Sequence, residues 1–190
     1  MDLSWGDERT VQFITNVGLI TSAGPYGDNI MSAEWTHHVS YKPGLIAVCI
    51  GHNKATAENI KKTKVFGVSL ASAEQTTLAS IAGNSTGKEI DKVSALKELG
   101  FKFYKAKKIN VLMVQDSVLN IECRLIKKIP LGDHTMFVGE ILEVSVNKDK
   151  KPIAYHQLKY ATVNFNMPKP SDQERQKIKD ALEKHRKNRL

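Results

Sequence analysis

The sequence has little of what usually assigns a protein at first sight. Only two of its 190 residues are cysteines, Cys49 and Cys123, and neither belongs to a CxxC or to a Cys/His spacing typical of zinc. We therefore expect two reduced thiols in the core. The longest purely aliphatic run, residues 45–50, is too short to span a bilayer. The acidic first ten residues lack an apolar stretch, so we expect a cytoplasmic protein without a secretory signal.

Familiar catalytic motifs are also missing. The chain contains no GxGxxG, no HExxH and no GxSxG. Residues 83–89, GNSTGKE, come nearest to a P-loop, but only three residues separate the glycines, and Glu89 stands where Ser or Thr would reach magnesium. This polar loop still offers N–H groups and hydroxyls to an anion. His37 and His38 are adjacent on an expected strand and point to opposite faces, so we predict no metal site.

The net charge of +8 lies in the second half of the chain. Residues 1–100 hold nine basic and ten acidic side chains, and residues 101–190 hold 19 and ten. A basic surface suits nucleic acid, anionic membranes or phosphorylated small molecules, and charge alone does not choose among them. Because aromatic residues make up only 7% of the chain and are not clustered with the lysines, a base-stacking groove for nucleic acid is not favoured.

Hydrophobic periodicity predicts a mainly β chain. We expect strands over residues 12–22, 29–36, 45–50, 65–70, 118–125 and 136–146, and short helices over residues 54–63, 73–82 and 94–99. Ser72 and Gln75 form a capping box before the second helix, and Gly83 is its expected stop. Alternation in the fifth strand places Glu122 on its polar face. Six or more short strands without regular βαβ alternation indicate a β-barrel with helical inserts.

The last segment differs in composition from the rest. We expect one domain over residues 1–168 and an appended basic helix within residues 169–190. Ser171 and Glu174 form a second capping box, and the helix is expected to run to about Asn188. Its thin apolar stripe predicts a solvated helix docked by that stripe, for example on a partner subunit. A nucleic-acid-binding arm is the alternative interpretation.

Two segments have a composition that suits a phosphorylated ligand with a flat ring. Residues 51–56, GHNKAT, follow a buried strand and open a helix, and so offer N–H groups, hydroxyls and a lysine to a phosphate dianion. An ordinary helix cap at Asn53 explains them equally well. Residues 29–36 combine small side chains with Met31 and Trp35, which suits a flat ring that becomes anionic at one edge when reduced. A plain barrel strand with a packed tryptophan is an equally good explanation.

The order of these segments resembles that of the flavin reductase-like family, which includes flavoredoxin. The resemblance rests on DNIMSAEWTHHVSYKP at 28–43, HNKAT at 52–56, GNSTGKEIDKV at 83–93 and IECRLIKKIPLGDHTMFVGEILEV at 121–144. It covers about residues 10–165 of the chain. The resemblance implies a homodimeric, FMN-binding split β-barrel of Greek-key type, which holds its FMN noncovalently along residues 29–40.

Carried over residue by residue, the resemblance implies a set of binding positions. Those that would line the flavin ring and ribityl chain are Met31, Ser32, Ala33, Trp35, Thr36 and His37. Those that would hold the phosphate are Asn53, Lys54 and Thr56, with Ser85, Thr86, Gly87 and Lys88 contributing from the loop. His134 would lie near the exposed flavin face, where a nicotinamide or another partner approaches. Thr86 in place of serine and Lys88 in place of arginine depart from the family pattern and weaken bidentate phosphate recognition there.

The leading functional hypothesis is an NAD(P)H-dependent FMN oxidoreductase. A hydride from NADH or NADPH would reach flavin N5, and electrons would pass to a free flavin, a metal complex or a protein. The chain would position the cofactor, and no side chain need act as a general acid or base. An FMN electron carrier without its own nicotinamide site is the first alternative. A basic β-barrel nucleic-acid binder is the remote one.

Overall fold

The computed structural model describes residues 2–164 and 166–187. Its strands are β1 (Thr15–Asn16), β2 (Gly18–Ser22), β3 (Asn29–Ala33), β4 (Thr36–Tyr41), β5 (Gly44–Gly51), β6 (Val65–Leu70), β7 (Phe103–Lys105), β8 (Leu112–Val114), β9 (Leu119–Leu131), β10 (His134–Val146), β11 (Ile153–His156) and β12 (Lys159–Thr162). Its helices are α1 (Ala55–Thr63), α2 (Thr76–Asn84), α3 (Lys92–Glu98) and α4 (Asp172–Lys184), and a 3₁₀ turn at Ala73–Gln75 precedes α2.

Seven strands form one antiparallel sheet in the order β3-β2-β6-β9-β10-β5-β4. The two edge strands, β3 and β4, are consecutive in the chain and are joined only by Glu34 and Trp35, so the sheet curls until its edges come together at that corner. Within the described residues no ladder joins β3 to β4, which leaves the barrel split along this seam. The predicted mainly β fold is confirmed, and so is the split barrel that the resemblance implied.

Strand β2, which neighbours the edge strand β3, is buried on both faces. Ile20 of β2 packs on one face with Phe66, and its neighbour Leu19 packs on the opposite face with Leu78 of α2. All four side chains are fully buried. Helices α2 and α3 therefore cover the second face of β2 and β3, and they bring the polar loop between them to the beginning of β3.

The predicted strand over residues 29–36 is wrong at its end. Thr36 Oγ1 donates a hydrogen bond to Ala33 O (3.1 Å), and Cys49 N donates one to Trp35 O (2.9 Å). These bonds turn the chain at Glu34 and Trp35 and lead it onto the other edge of the sheet as β4. The segment expected to hold the flavin consequently spans both edge strands and the corner between them.

Two predicted boundaries around the polar loop also need correction. Gly83 does not end the second helix, because α2 continues to Asn84 and the Ser85 hydroxyl donates to a carbonyl of its last turn (2.6 Å). Helix α3 begins two residues earlier than predicted, since Asp91 Oδ1 accepts a hydrogen bond from Ser94 N (3.0 Å) and caps its first turn. The loop thus narrows to residues 85–91, and both of its ends are fixed.

Glu122, which the alternation places on the side of the strand opposite to Cys123, is covered by another part of the chain. This residue is only 4% exposed. Its carboxylate accepts hydrogen bonds from Lys107 N (2.8 Å) and Lys108 N (2.6 Å), donors that belong to the segment between β7 and β8. Alternation alone could not reveal this, because the cover over the polar face comes from a distant segment. Two backbone donors compensate for the burial of the charge.

Helix α4 stands apart from the domain. The predicted capping box is present, since Ser171 N donates to Glu174 Oε2 (2.7 Å) and Glu174 N to Ser171 Oγ (3.3 Å). The helix ends at Lys184, and its predicted end at Asn188 lies outside the described residues. None of its residues is buried, and Leu182 of the apolar stripe is 68% exposed. The stripe is therefore not docked on its own domain.

Replacing Gly139 by alanine is expected to destabilise the fold. A Cβ at this position in β10 would lie 2.6 Å from Phe66 Cζ and 2.7 Å from Cys123 Cβ, and both side chains are fully buried. Overpacking of this kind lowers the free energy of unfolding by about 1–3 kcal/mol, which urea denaturation measures. The matched control is Gly44→Ala, whose Cβ would have the half-buried side chain of Ile141 as its neighbour, with Cδ1 nearest at 3.2 Å. Equal stability of the two variants would contradict the packing described.

Candidate functional site

Two aromatic rings lie against each other at the corner between β3 and β4. The ring centroids of Trp35 and His134 are 4.7 Å apart and their planes are tilted by 49°. Trp35 is 56% exposed. His134 begins β10 opposite Gly51, and its Nδ1 lies 2.7 Å from Asp133 Oδ1. The hydrogen bond from His134 lowers the pKa of the Asp133 carboxyl. We call this pair of rings the ring end of the site.

A second part of the site lies where β5 leads into α1. The helix begins after Lys54, which has an extended backbone and no side-chain cap. The predicted alternative of a cap at Asn53 is therefore wrong: no side chain caps the first turn, and Ala57 N donates to Lys54 O (3.0 Å). Thr56 in that turn is only 1% exposed, and its Oγ1 accepts a hydrogen bond from Asn29 Nδ2 (2.8 Å) at the start of β3. The helix N-terminus and the edge strand are thereby joined.

The polar loop reaches the same place. A Cβ built on Gly87 would lie 2.1 Å from Asn29 Oδ1, so only glycine allows the loop backbone to come this close. Asn29 is 4% exposed and is held by its bond to Thr56, so it has little freedom to move aside. Asn29, Thr56 and Gly87 lie together near Lys54 and Lys92. We call these five residues the phosphate end of the site.

Lys92 is the residue that the sequence analysis missed. It is 2% exposed, and its ammonium donates to Ala82 O (3.1 Å) and Ser85 O (3.2 Å). Burial, and then the neighbouring charge of Lys54, lower the pKa of Lys92 to about 8. No carboxylate of residues 2–164 or 166–187 pairs with it, so a buried ammonium has one donor left over. The sequence contains one indication of this burial: Lys92 lies one helical turn before the buried Leu96, on the apolar face of α3.

Ser32 supplies another unsatisfied polar group. Its hydroxyl oxygen is buried and has no hydrogen-bond partner within the described residues. It lies on β3 beside the end of α2, where a Cβ on Gly83 would be 3.3 Å from Ser32 Cβ. Buried polar atoms without partners are rare in folded proteins, and they often face a missing ligand or water. A phosphorylated ligand with polar groups along its length fits both this hydroxyl and the unpaired ammonium.

Some of the predicted binding residues turn their side chains elsewhere. The Thr36 hydroxyl donates to Ala33 O and packs against Gly18, inside the protein. Lys88 Nζ lies 5.6 Å from the centroid of the Tyr26 ring, on the outer side of the loop. The roles of the other predicted residues stay predictions. Met31 is half-buried and Ala33 is buried, whereas His37 and Asn53 are exposed. The Nδ1 atom of His37 lies 3.1 Å from His38 O, and Thr86 Oγ1 accepts a hydrogen bond from Lys88 N (3.3 Å).

Neither a metal centre nor a membrane helix is found in what the structure describes. Residues 2–164 and 166–187 contain no group of three or more His, Cys, Asp or Glu side chains placed to hold a metal ion. Over the same residues, no helix is both long enough and apolar enough to cross a bilayer. Cys49 and Cys123 are free thiols, and burial raises the pKa of Cys123 to about 12.

Comparison with known proteins gives a consistent family. The flavin reductase like domain family matches residues 10–164. The chain is 34% identical to an uncharacterized protein of Archaeoglobus fulgidus, and the alignment covers 73% of this chain and 78% of that protein. It is 32% identical to the ferric-chelate reductase (NAD(P)H) of the same organism, and that alignment covers 65% of this chain and 70% of the reductase. The structure of flavoredoxin from Desulfovibrio vulgaris (Miyazaki F) superimposes with a TM-score of 0.74 at 26% identity, covering 90% of this chain and 98% of flavoredoxin. The chain therefore belongs to the flavin reductase-like family.

Proposed function

We propose that this protein binds FMN noncovalently between the ring end and the phosphate end, and reduces an acceptor at the expense of NADH or NADPH. The observation that carries the proposal is the buried ammonium of Lys92, which has no carboxylate partner among the described residues and lies near Lys54 at the start of α1. A phosphate dianion would accept hydrogen bonds from the remaining donor of Lys92 and from N–H groups at the start of α1, which no side chain caps. Lys54 adds a second positive charge at the same place.

The ring end suits the flat part of a flavin. Trp35 presents a large exposed aromatic surface at the corner, and His134 lies against it beside Gly51. The glycine leaves space above the strand, because a Cβ there would have no neighbour closer than 3.8 Å. Ser32 offers its unpartnered hydroxyl between the two ends. When bound, FMN supplies hydride and electron transfer, while the residues named here bind it and orient it.

The reductase activity is supported by one relative in particular. The ferric-chelate reductase of Archaeoglobus fulgidus bears NAD(P)H in its name and shares 32% of aligned residues with this chain. We expect protein reconstituted with FMN to oxidise NADH or NADPH steadily when a ferric chelate or free flavin is added, and the fall in nicotinamide absorbance measures the rate. Absence of turnover with both donors and with every acceptor class, although FMN is bound, would remove the reductase assignment.

An FMN electron carrier without a nicotinamide site is the second candidate. The likeness to flavoredoxin over 98% of that chain favours it. The two candidates differ in one observable, the rate at which NAD(P)H bleaches the bound flavin without oxygen. A reductase bleaches within its turnover time, whereas a carrier is reduced only by a protein or chemical donor.

We also propose a cytoplasmic homodimer. Apolar side chains remain exposed on the barrel strands, including Val39 at 53% and Tyr41 at 87% on β4 and Ile126 at 50% on β9. A second copy of the chain is a suitable cover for such side chains. The two unpaired cysteines agree with a reducing compartment. Sedimentation equilibrium measures the mass of the assembly.

FMN affinity is expected to fall as the pH rises from 7 to about 9. Because the pKa of Lys92 is about 8, its ammonium loses its proton within this window and with it the attraction for phosphate. Bound phosphate favours the protonated lysine, so affinity is highest below that pKa and declines above it. The phosphate itself is already a dianion, since its second pKa is about 6. Fluorescence titration at several pH values measures this, with riboflavin as a control that should not respond. A pH-independent FMN affinity would contradict the role of Lys92.

A further inference from the structure

Helix α4 carries a surface that the proposed flavin site does not use. It lies beyond residue 164, where the match to the flavin reductase like domain family ends. Its apolar stripe is exposed, with Ile178 at 49% and Leu182 at 68%. The segment before it, residues 166–170, is exposed as well and contains Pro168 and Pro170, which favour an extended spacer. The stripe is therefore accessible to a binding partner.

The basic residues of α4 lie on both sides of this stripe. Ala181 and Leu182 follow Ile178 by three and four residues, so the three side chains share one face of the helix. With about 3.6 residues per turn, the helix places its basic residues beside that face. Lys177 and Lys184 lie along one side of the stripe, and Arg175 and Lys179 lie along the other. All four are exposed.

The acidic residues of α4 lie mainly on the opposite face. Those that fall there are Asp172, Asp180 and Glu183. Asp172 pairs with Arg175 (2.7 Å), but both side chains are exposed, and such pairs contribute little. Glu174 is closer to the stripe, and its carboxylate accepts hydrogen bonds from the N–H and the hydroxyl of Ser171 (both 2.7 Å). The stripe and its flanks therefore form one apolar face with a positively charged border.

A second copy of the chain is a poor partner for this face. Two α4 stripes packed together would bring the flanking lysines of both helices side by side, and like charges there disfavour pairing. Exposed apolar side chains of the barrel strands also have lysines next to them. Tyr41 precedes Lys42, and Ile126 precedes Lys127 and Lys128, all of them exposed. The border of the α4 face requires a partner with negative charge instead.

We propose that α4 binds the surface of an anionic lipid membrane. Ile178 and Leu182 enter the boundary between headgroups and acyl chains, and the flanking lysines extend to the lipid phosphates. A nucleic acid would neutralise the lysines but leave both apolar side chains in water. A protein groove takes apolar anchors from two turns of a helix, whereas the stripe of α4 spans one turn.

The thin stripe determines the character of this binding. Two large apolar side chains bury little area, so charge supplies most of the affinity, and binding is reversible and sensitive to salt. This inference goes beyond the proposed function and does not depend on it.

The test is sedimentation of the full-length protein with vesicles of phosphatidylcholine, alone or mixed with an equal part of phosphatidylglycerol. The parent protein should sediment with the mixed vesicles in dilute buffer, be released by salt, and stay in solution with phosphatidylcholine alone. Each cation at an anionic surface raises the affinity roughly fivefold, so the triple variant Lys177→Gln, Lys179→Gln, Lys184→Gln should bind roughly 100-fold more weakly. The double variant Ile178→Ser, Leu182→Ser keeps the net charge and should bind roughly tenfold more weakly.

The matched control removes the same charge from the domain. The triple variant Lys102→Gln, Lys105→Gln, Lys108→Gln changes three exposed lysines in and near strand β7. It should leave vesicle binding within about threefold of the parent, because charges far from the membrane contact are screened. Equal losses in the two lysine variants would overturn the inference, since net charge alone would then attract the protein.

Two further outcomes would also overturn the inference. One is a parent protein that stays in solution with the mixed vesicles. The other is a single-stranded RNA oligonucleotide that binds in place of the vesicles and requires the α4 lysines but neither Ile178 nor Leu182, since this would assign the helix to nucleic acid. All variants should bind FMN as the parent does, so either result leaves the proposed function in place.

Discussion

Lys92→Met is expected to weaken FMN binding roughly 10- to 150-fold and to change riboflavin binding little. Hydrogen bonds to charged groups contribute about 1.5–3 kcal/mol, which corresponds to that range. Riboflavin lacks the phosphate, so it makes no use of the ammonium. The other two donors of the ammonium bond Ala82 O and Ser85 O, so the substitution also removes these two hydrogen bonds to the end of α2 and the loop. Methionine keeps the length of the side chain but removes its charge and its donors.

The control for this prediction is Lys97→Met. Lys97 lies five residues further along the same helix and is exposed, and it is not part of the phosphate end. It should leave FMN affinity unchanged. Equal losses for FMN and riboflavin in Lys92→Met would mean that the lysine only holds the loop in place, since loss of loop order affects both ligands. Calorimetric titration of both ligands into each variant gives the comparison.

Gly87→Ala is expected to lower FMN affinity by about 1–3 kcal/mol, the range for overpacking at a rigid contact. The added Cβ would lie 2.1 Å from Asn29 Oδ1 and 2.6 Å from Asn29 Cγ. Since Asn29 is buried and bonded to Thr56, either the loop withdraws or the amide leaves the threonine hydroxyl. Both responses move a wall of the phosphate end.

Gly83→Ala provides the matched comparison four residues earlier. Its Cβ would meet only Ser32 Cβ at 3.3 Å, and position 83 lies within α2, where alanine is favoured over glycine by about 1 kcal/mol. This variant should bind FMN nearly as well as the parent and should unfold no more easily. Similar FMN affinity in both glycine variants would show that the close approach of Gly87 to Asn29 is unimportant for binding.

Elements with a strong local pattern were predicted well from the sequence. The strand over Val65–Leu70 was found with its bounds, and the capping box at Ser171 and Glu174 is present. Both depend on neighbours within a few residues. The residues of β1 fall within the strand predicted over residues 12–22, but the small sheet that β1 forms with β11 and β12 was not predicted, and neither was the hairpin of β7 and β8. Their strands have only two to four residues and are stabilised by partners distant in the sequence, which periodicity cannot reveal.

The sequence indicated which segments would form the candidate site, but it did not indicate how the individual side chains of those segments are oriented. The structure brings Asn29, Thr56 and Gly87 of these segments close together, and the assignment of the segments to one ligand, which came from the resemblance, stays a prediction. The burial of the Lys92 ammonium was not predicted, because it depends on how α3 packs against α2. The inward orientation of the Thr36 side chain was not predicted for a related reason. The chain turns at Trp35, and Thr36 therefore begins a different strand with a different orientation toward the core.

The absorbance spectrum of the purified protein with FMN, recorded before and after anaerobic addition of NADH, tests the central claim most directly. After removal of free ligand, the protein should retain about one FMN per chain and show visible flavin absorbance, which NADH should bleach. Protein that remains colourless after incubation with excess FMN would contradict the claim that the Lys92 site holds the phosphate of a flavin.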